Sequence, residues 1–310
     1  MIVRDRPNGL RLFLTMRGSV LPSIWKSVTI TTLLAVAVTW SHGQLWEHKV
    51  KLTIIPFTLM GLPLAIFLGF RNNSAYDRYW EGRKLWGELV LRSRNFARQC
   101  LSLVDEGERE GDAGVLRTRM IRRAIAYAHA LRHHLRRSDP ADDVAPHLPG
   151  AEWTALRSRP NLTHALMLEM GADLLRCRRA GMLDSVRAAA LDTTMSAMVA
   201  TAASCERIKN TPVPFSYTLL LHRTAYMYCF LLPFGLVDSI GYLTPLVVAI
   251  VAYTFYGLDA LGDEIEEPFG LSPNDLPLDA ICRAIEIDLR DALGDADLPP
   301  PLLPVQYWLR

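Results

Sequence analysis

Apolar residues in this 310-residue chain gather into two blocks, and that unevenness limits the fold more than any motif does. One block occupies the first 70 residues and the other runs from about 225 to 261; the stretch between them, 71–222, is rich in arginine. A helix needs about 20 apolar residues to cross a bilayer core. Four segments approach that length: Ile24 to Trp40, Thr53 to Phe70, Ala225 to Val237 and Leu243 to Leu261. The third is short and interrupted by Pro233, so it crosses only if extended by flanking polar residues or packed against neighbours. The third and fourth would otherwise form one buried hairpin of a soluble core. Length alone would suggest two soluble domains. The clustering instead predicts a multi-pass membrane protein with a large aqueous part.

Basic residues orient such a chain, because Lys and Arg flanking the spans stay on the cytoplasmic side. Arg4, Arg6, Arg11 and Arg17 precede the first span, and Arg71, Arg78, Arg83, Lys84, Arg92, Arg94 and Arg98 follow the second. The 41–52 connection carries Lys49 and Lys51 against Glu47, and the link DSIGYLT has Asp238 with no Lys or Arg. Both termini and the middle region are therefore expected in the cytoplasm. The start, MIVRDRPNGLRLFLTMRGS, is basic but has only short apolar runs and no small-residue cleavage site, so no signal peptide is expected. Cys100, Cys177, Cys205, Cys229 and Cys282 are widely separated and are expected as reduced thiols.

The expected divisions are an N-terminal segment with two spans (1–70), a cytoplasmic helical region (71–222), two further spans (223–262), and a cytoplasmic helix with a Pro-rich tail (263–310). In LRTRMIRRAIAYAHALRHHLRR, helical spacing puts Met120, Ala124, Tyr127, Ala128 and Leu131 on one face and arginines on the other. Helices are expected at about 162–180 and 183–207, and TPVPF ends the second because prolines break it. The fold class is all-α.

The stretch LAIFLGFRNNSAYDRYWEGRKLWG, residues 64–87, passes from apolar to densely charged within one helical turn without a loop signal. Leu62, Ile66 and Phe70 stand four apart, on one helix face covering about 12 Å of axis. The helical pattern continues through Tyr76, Tyr79, Trp80, Trp86 and Leu89, so one helix can run from lipid into water. Four spans leave little room for a watery path inside one chain. A ring of identical chains supplies one on its symmetry axis, and three apolar layers there would form a constriction that shuts by dewetting. On periodicity alone, an apolar i, i+4 stripe in a membrane helix is more often packing than pore.

FRNNSAYDRYWEGRKLWG resembles the segment after the second span of the bestrophin family. RGSVLPSIW, TPVPFSYTLLLHRTAYMYCFLLPF and EEPFGLSPNDLPLD resemble that family in the same order, over roughly residues 10 to 290. The resemblance is to bacterial members and implies a homopentameric ion channel in the bacterial inner membrane. It implies a hydrophobic neck at Leu62, Ile66 and Phe70 and a lower cytoplasmic aperture matched best by Leu174. Animal members bind calcium through an acidic run after PFG; here LSPND follows, leaving Asp275, with Asp263, Glu264, Glu266 and Glu267 before it. Calcium takes six to eight oxygen ligands, so the run is thin, and no cofactor is expected; Asp275 and Glu267 are the candidates if calcium binds. The acidic run is expected instead to pair with arginines of the cytoplasmic region.

Rings of like charge set selectivity at pore mouths. Asp77, Glu81 and Glu88 oppose Arg71, Arg78 and Arg83 there, with Asp77, Glu81 and Arg71 the leading candidates. Resemblance to the bacterial branch implies monovalent cations, with chloride the alternative. Expected partners are further copies of the chain, the bilayer and monovalent ions. Nucleic acid is not expected, because the arginines alternate with apolar positions beside a membrane exit. His129, His133 and His134 include an i, i+4 pair, but no HExxH pattern or third ligand accompanies it, so no metal is expected. No nucleophile constellation or phosphate loop suggests an enzyme. A secondary transporter is the competing class; Pro56, Gly61 and Pro63 interrupt the second span, yet the cores of spans one, two and four hold no charge.

Overall fold

The computed structural model describes residues 1–4, 9, 15–42, 44–45, 48–49, 52–106 and 112–310. Arg6, Arg11, Glu47 and Lys51 of the charge argument lie outside the described residues. The described elements are α1 (Leu21–Trp40), β1 (Gln44–Leu45), β2 (His48–Lys49), α2 (Ile54–Leu103), α3 (Asp112–Arg136), α4 (Ala141–Val144), a 3-10 turn (Ala145–His147), α5 (Gly150–Leu156), α6 (Leu162–Arg179), α7 (Ser185–Asn210), α8 (Phe215–Ile240), a second 3-10 turn (Gly241–Leu243), α9 (Thr244–Glu266) and α10 (Leu278–Ala292). The architecture is helical. Its extended pieces, among the described residues, are the two-residue ladder pairing Gln44 with Lys49 and Leu45 with His48, and bridges from Trp308 to Ile2 and Val305.

Local chemistry explains the boundaries. Proline stands in the first turn of α1 and of α9, where its missing N–H costs nothing. Asn161 caps α6 by accepting from His164 N at 2.9 Å, and Asp184 caps α7 by accepting from Val186 N and Arg187 N, both at 2.8 Å. Helix α2 runs 50 residues without a break, with Pro63 inside it. At about 1.5 Å per residue that is about 75 Å. The expected helical exit from the apolar segment is therefore present.

The chain forms two compact units, one from residues 4–80 and 212–268, the other from residues 1–3, 81–211 and 269–310. Stretches long and apolar enough to cross a membrane lie at Leu21–Trp40, within Ile54–Leu103, and within Phe215–Glu266.

In the first unit α9 packs on α1 and α8, over a core that includes Phe57, Leu64, Leu68, Ala225, Tyr228, Val248 and Tyr256. Two hydroxyl pairs fasten it: Thr31 with Tyr256 at 3.0 Å and Ser27 with Tyr226 at 3.1 Å. His222 lies beside Asp259 and Tyr226 stacks on Tyr256, so α8 and α9 run antiparallel. The chain reverses at Gly241, whose φ of +54° suits a residue without Cβ. The third apolar segment is longer than its sequence suggests: α8 spans 26 residues with Pro233 inside it. Close packing beside that proline fixes Gly235, because a Cβ there would collide with the Phe57 ring.

In the second unit α3 is central and packs on α6 and α10. Met120, Ala124, Tyr127, Ala128 and Leu131 are buried, as the periodicity predicts, but so are Ile121, Ile125, Arg123 and Arg132. The arginines are paired with carboxylates. Arg123 donates to Glu152 at 2.7 Å and to the Asp173 carboxylate, which Arg119 and Arg176 also reach. Arg132 bonds Asp143 and lies 3.1 Å from Asp279, while Arg136 bonds Asp279 at 2.6 Å. The carboxylates arrive from distant helices, which helical periodicity cannot report. All five cysteines are buried and free. Burial pushes the Cys205 and Cys282 thiols up to about 12, so they remain protonated.

Candidate functional site

Helix α2 carries two opposed stripes. Phe57, Leu64, Leu68, Arg71 and Ala75 are buried. Their spacing alternates between three, four and seven residues, which keeps one helical face against neighbours. A second stripe is open: Leu62 is 67% exposed, Ile66 46% and Phe70 57%. It continues through Asn73, Asp77, Trp80 and Lys84, all exposed and on the same side by helical spacing. Three large apolar side chains thus lead directly into amide, carboxylate and ammonium groups along one helix. Phe67 and Phe70 meet edge to face at 6.2 Å, and Tyr76 stacks on Trp80 at 6.4 Å, stiffening the changeover.

Beneath Phe70 the buried stripe holds a charge. Arg71, expected in an open ring, is fully buried. Its Nη1 donates to Asp259 Oδ1 at 2.9 Å and to Asp259 O at 3.2 Å, and its Nη2 bonds Asp263 and lies 3.8 Å from Glu266 Oε2. The other Asp259 oxygen is 2.6 Å from His222 Nδ1. Glu266 Oε1 accepts from Val213 N at 2.8 Å, and Arg78 Nε donates to Glu266 O at 3.2 Å. The acidic end of α9 therefore pairs with Arg71 and Arg78, the first arginines of the region 71–222, as expected. Phe70 and Arg71 are adjacent, and about 100° of helical rotation sends one outward and the other inward. The signal that could have found these partners is the spacing of Asp259, Asp263 and Glu266 at i, i+4 and i+7 on one face of α9. Gly262 sits in that face because a Cβ would lie 2.6 Å from Asn72 Oδ1 and 3.3 Å from the Arg71 guanidinium.

Among the other expected charges, Asp77 is exposed. Glu81 is half-exposed and accepts from Arg207 at 2.7 Å, and Glu88 accepts from Arg92 at 2.6 Å. In α6, Leu174 keeps only 9% of its surface open, whereas Leu175 is 44% exposed. Asp173, buried under three arginines, fixes the rotation of this turn and leaves Leu175 as the open apolar side chain. Asp275 is buried and closes a turn, its Oδ2 accepting from Ser272 N at 2.7 Å while its own N–H donates to Ser272 O at 3.1 Å. Glu267 is exposed.

A family profile described as bacterial and fungal bestrophin protein matches residues 1–291. The chain belongs to the bestrophin family. It is 43% identical over 313 residues to the voltage-dependent anion channel-forming protein mll4386 of Mesorhizobium japonicum, covering 99% of this bestrophin and 96% of that relative. It is 39% identical to the voltage-dependent anion channel-forming protein YneE of Escherichia coli K12, covering 99% of both. The crystal structure of a bacterial bestrophin homolog from Klebsiella pneumoniae superposes with a TM-score of 0.83 at 35% identity, over 88% of this chain and all of that one. A related crystal structure described as a membrane protein matches with a TM-score of 0.82 at 35% identity, over 87% of this chain and 98% of that one. The two sequence relatives are named for channel formation, and this bestrophin shares the fold of the two crystal structures. Cation permeation, implied by the bacterial resemblance, finds no support in the relatives' names; the anion alternative fits them better.

Proposed function

We propose that this bestrophin forms an anion-permeable channel in the bacterial inner membrane, built from a ring of five identical chains. Each chain crosses four times, by α1, the first part of α2, α8 and α9, with both termini in the cytoplasm. α2 lines the path, and Leu62, Ile66 and Phe70 form an uncharged neck above Asn73 and Asp77. The observation that carries this reading is the open stripe of α2. Three large apolar side chains left exposed beside a fully packed opposite face need a covering, and copies of themselves around an axis provide one. Such a neck conducts when wetted and closes when it dries. The anion reading rests on the names of relatives at 39–43% identity over nearly the whole chain. Calcium is not required, since Asp275 is engaged in its own turn.

Reversal potentials of the purified channel in planar bilayers, under a potassium chloride gradient, test it. The expected reversal lies toward the chloride equilibrium potential. A reversal toward that of potassium would return the cation reading, and the absence of discrete conductance steps would remove the channel itself.

A further inference from the structure

We propose that His129, His147 and Glu286 form a binding site for a divalent transition-metal ion of the zinc class within the helical unit. His129 comes from the middle of α3, His147 from the 3-10 turn that follows α4, and Glu286 from α10. One ligand atom from each lies within 4.8 Å of the others, and all three residues are buried.

The polar contacts are incomplete in the way an ion would complete them. His129 Nε2 stands 3.7 Å from Glu286 Oε2, and His147 Nε2 stands 3.8 Å from Glu286 Oε1. Both gaps are too long for hydrogen bonds. His129 is 3% exposed, and neither of its ring nitrogens nor His147 Nδ1 has a hydrogen-bond partner. Buried donors and acceptors without partners lose their hydration for no return. The two rings lie nearly parallel, 5.8 Å apart, so they do not bond each other. Two ligand atoms at about 2.0–2.1 Å from one tetrahedral zinc are about 3.4 Å apart, so the 3.7 and 3.8 Å gaps must close by a few tenths of an ångström, and no pair, all lying within 4.8 Å, must close by more than about 1.4 Å.

The donor set is two imidazoles and a carboxylate, which suits zinc and leaves a fourth position for water. It does not suit calcium, which needs six or more oxygens. Burial pushes the His147 imidazole down, and although burial alone would raise Glu286, the neighbouring His129, His147 and Arg283 hold its carboxyl below the ordinary range.

Arg290 Nη1 lies 3.3 Å from Glu286 Oε1, and Arg283 Nε lies 3.2 Å from Oε2. Arg290 is itself held by Asp295 at 2.9 Å, which Arg122 also reaches at 3.0 Å. Arg283 Nε makes no aligned hydrogen bond. Arg283 and His129 both line a cavity of about 610 Å³ closed by Leu302, Val305, Trp308 and Arg310 of the C-terminal segment. The paired histidines of α3 are not the site, because His133 bonds Asp143 and Ser138 and His134 faces Glu206.

Zinc titration of the chelator-stripped full-length channel tests this, by equilibrium dialysis with metal analysis and by thermal midpoint. Expected are one tightly bound zinc per chain and a raised midpoint, both lost in His129→Gln/His147→Gln and in Glu286→Gln and both kept in His133→Gln. Zinc binding that survives in the first two variants, or no binding to the native chain, would overturn the proposal. Should a variant fail to fold, X-ray absorption of the native chain loaded with one equivalent decides. Two imidazoles at about 2.0–2.1 Å support the site, and fewer than two refute it.

Discussion

The two stripes of α2 are made of similar residues and live in opposite surroundings. Leu64 and Leu68 share a core with residues of α8 and α9 and Ala75 is buried, while Leu62, Ile66 and Phe70, on the same helix and within a few residues, are open. Composition cannot separate the stripes; only the rotation of each position about the axis does. The buried stripe also carries the helix's buried ion pair, Arg71 with Asp259, where the open stripe carries Asn73 and Asp77. One stripe therefore holds the subunit together, and the other is free to serve conduction. A substitution in the first should cost stability, and a substitution in the second should alter current with little cost in stability.

The largest effect is expected at Arg71. Arg71→Met leaves Asp259 charged, buried and without its main partner, which costs about 3–5 kcal/mol. The thermal midpoint of the detergent-solubilised channel reads this; an unchanged midpoint would mean that the buried stripe is not the anchor. Next comes Gly262→Ala, where the added methyl must displace Asn72 or the Arg71 guanidinium. About 1–3 kcal/mol is expected for such overpacking, with the channel still assembled. Loss below that range would show the α2–α9 contact to be looser than its geometry.

Acid offers a contrast away from α2. Burial opposes ionisation of Asp143, yet the hydrogen bond with His133 and the charge of Arg132 hold its carboxyl below the usual range. The folded state then keeps Asp143 charged where the unfolded chain would take a proton. This contribution is complete above an unfolded pKa of about 3.9 and disappears as pH falls through the lower folded value. Unfolding followed from pH 6 to pH 3 should steepen below about pH 4, less so in Asp143→Asn. Equal slopes in both proteins would remove Asp143 as a source of acid sensitivity. The smallest stability change belongs to the open stripe: Ile66→Ala should stay within about 0.5–1 kcal/mol of the parent while raising single-channel open probability. A large stability loss with unchanged current would invert the comparison.

Much of this arrangement was legible in the sequence. The uninterrupted helix through Phe70 and Arg71 followed from its periodicity, and so did the buried face of α3 at Met120, Ala124 and Leu131. What was not legible depends on partners far along the chain. Arg71 looked like an open cation because Asp259 and Asp263 reach it from α9, and the partners of the α3 arginines could not be named because Glu152, Asp173 and Asp279 come from other elements. His129 lacked a third ligand in sequence because His147 and Glu286 meet it only through the fold. Pro233 shortened the apparent third span, yet α8 continues through it. Leu174 and Leu175 differ by one position, and which of them is open was set by the burial of Asp173.

The central claim is that the open stripe of α2 faces water and ions rather than lipid. The five native cysteines are buried, so an introduced thiol can be read against a quiet background. The most direct measurement is the effect of a charged, membrane-impermeant thiol reagent on currents through Ile66→Cys and Asn73→Cys channels, with Leu33→Cys on the exposed face of α1 as control. The account predicts that current changes quickly at both α2 positions and not at the control. Unchanged currents at Ile66→Cys and Asn73→Cys in well-assembled, conducting channels would contradict it.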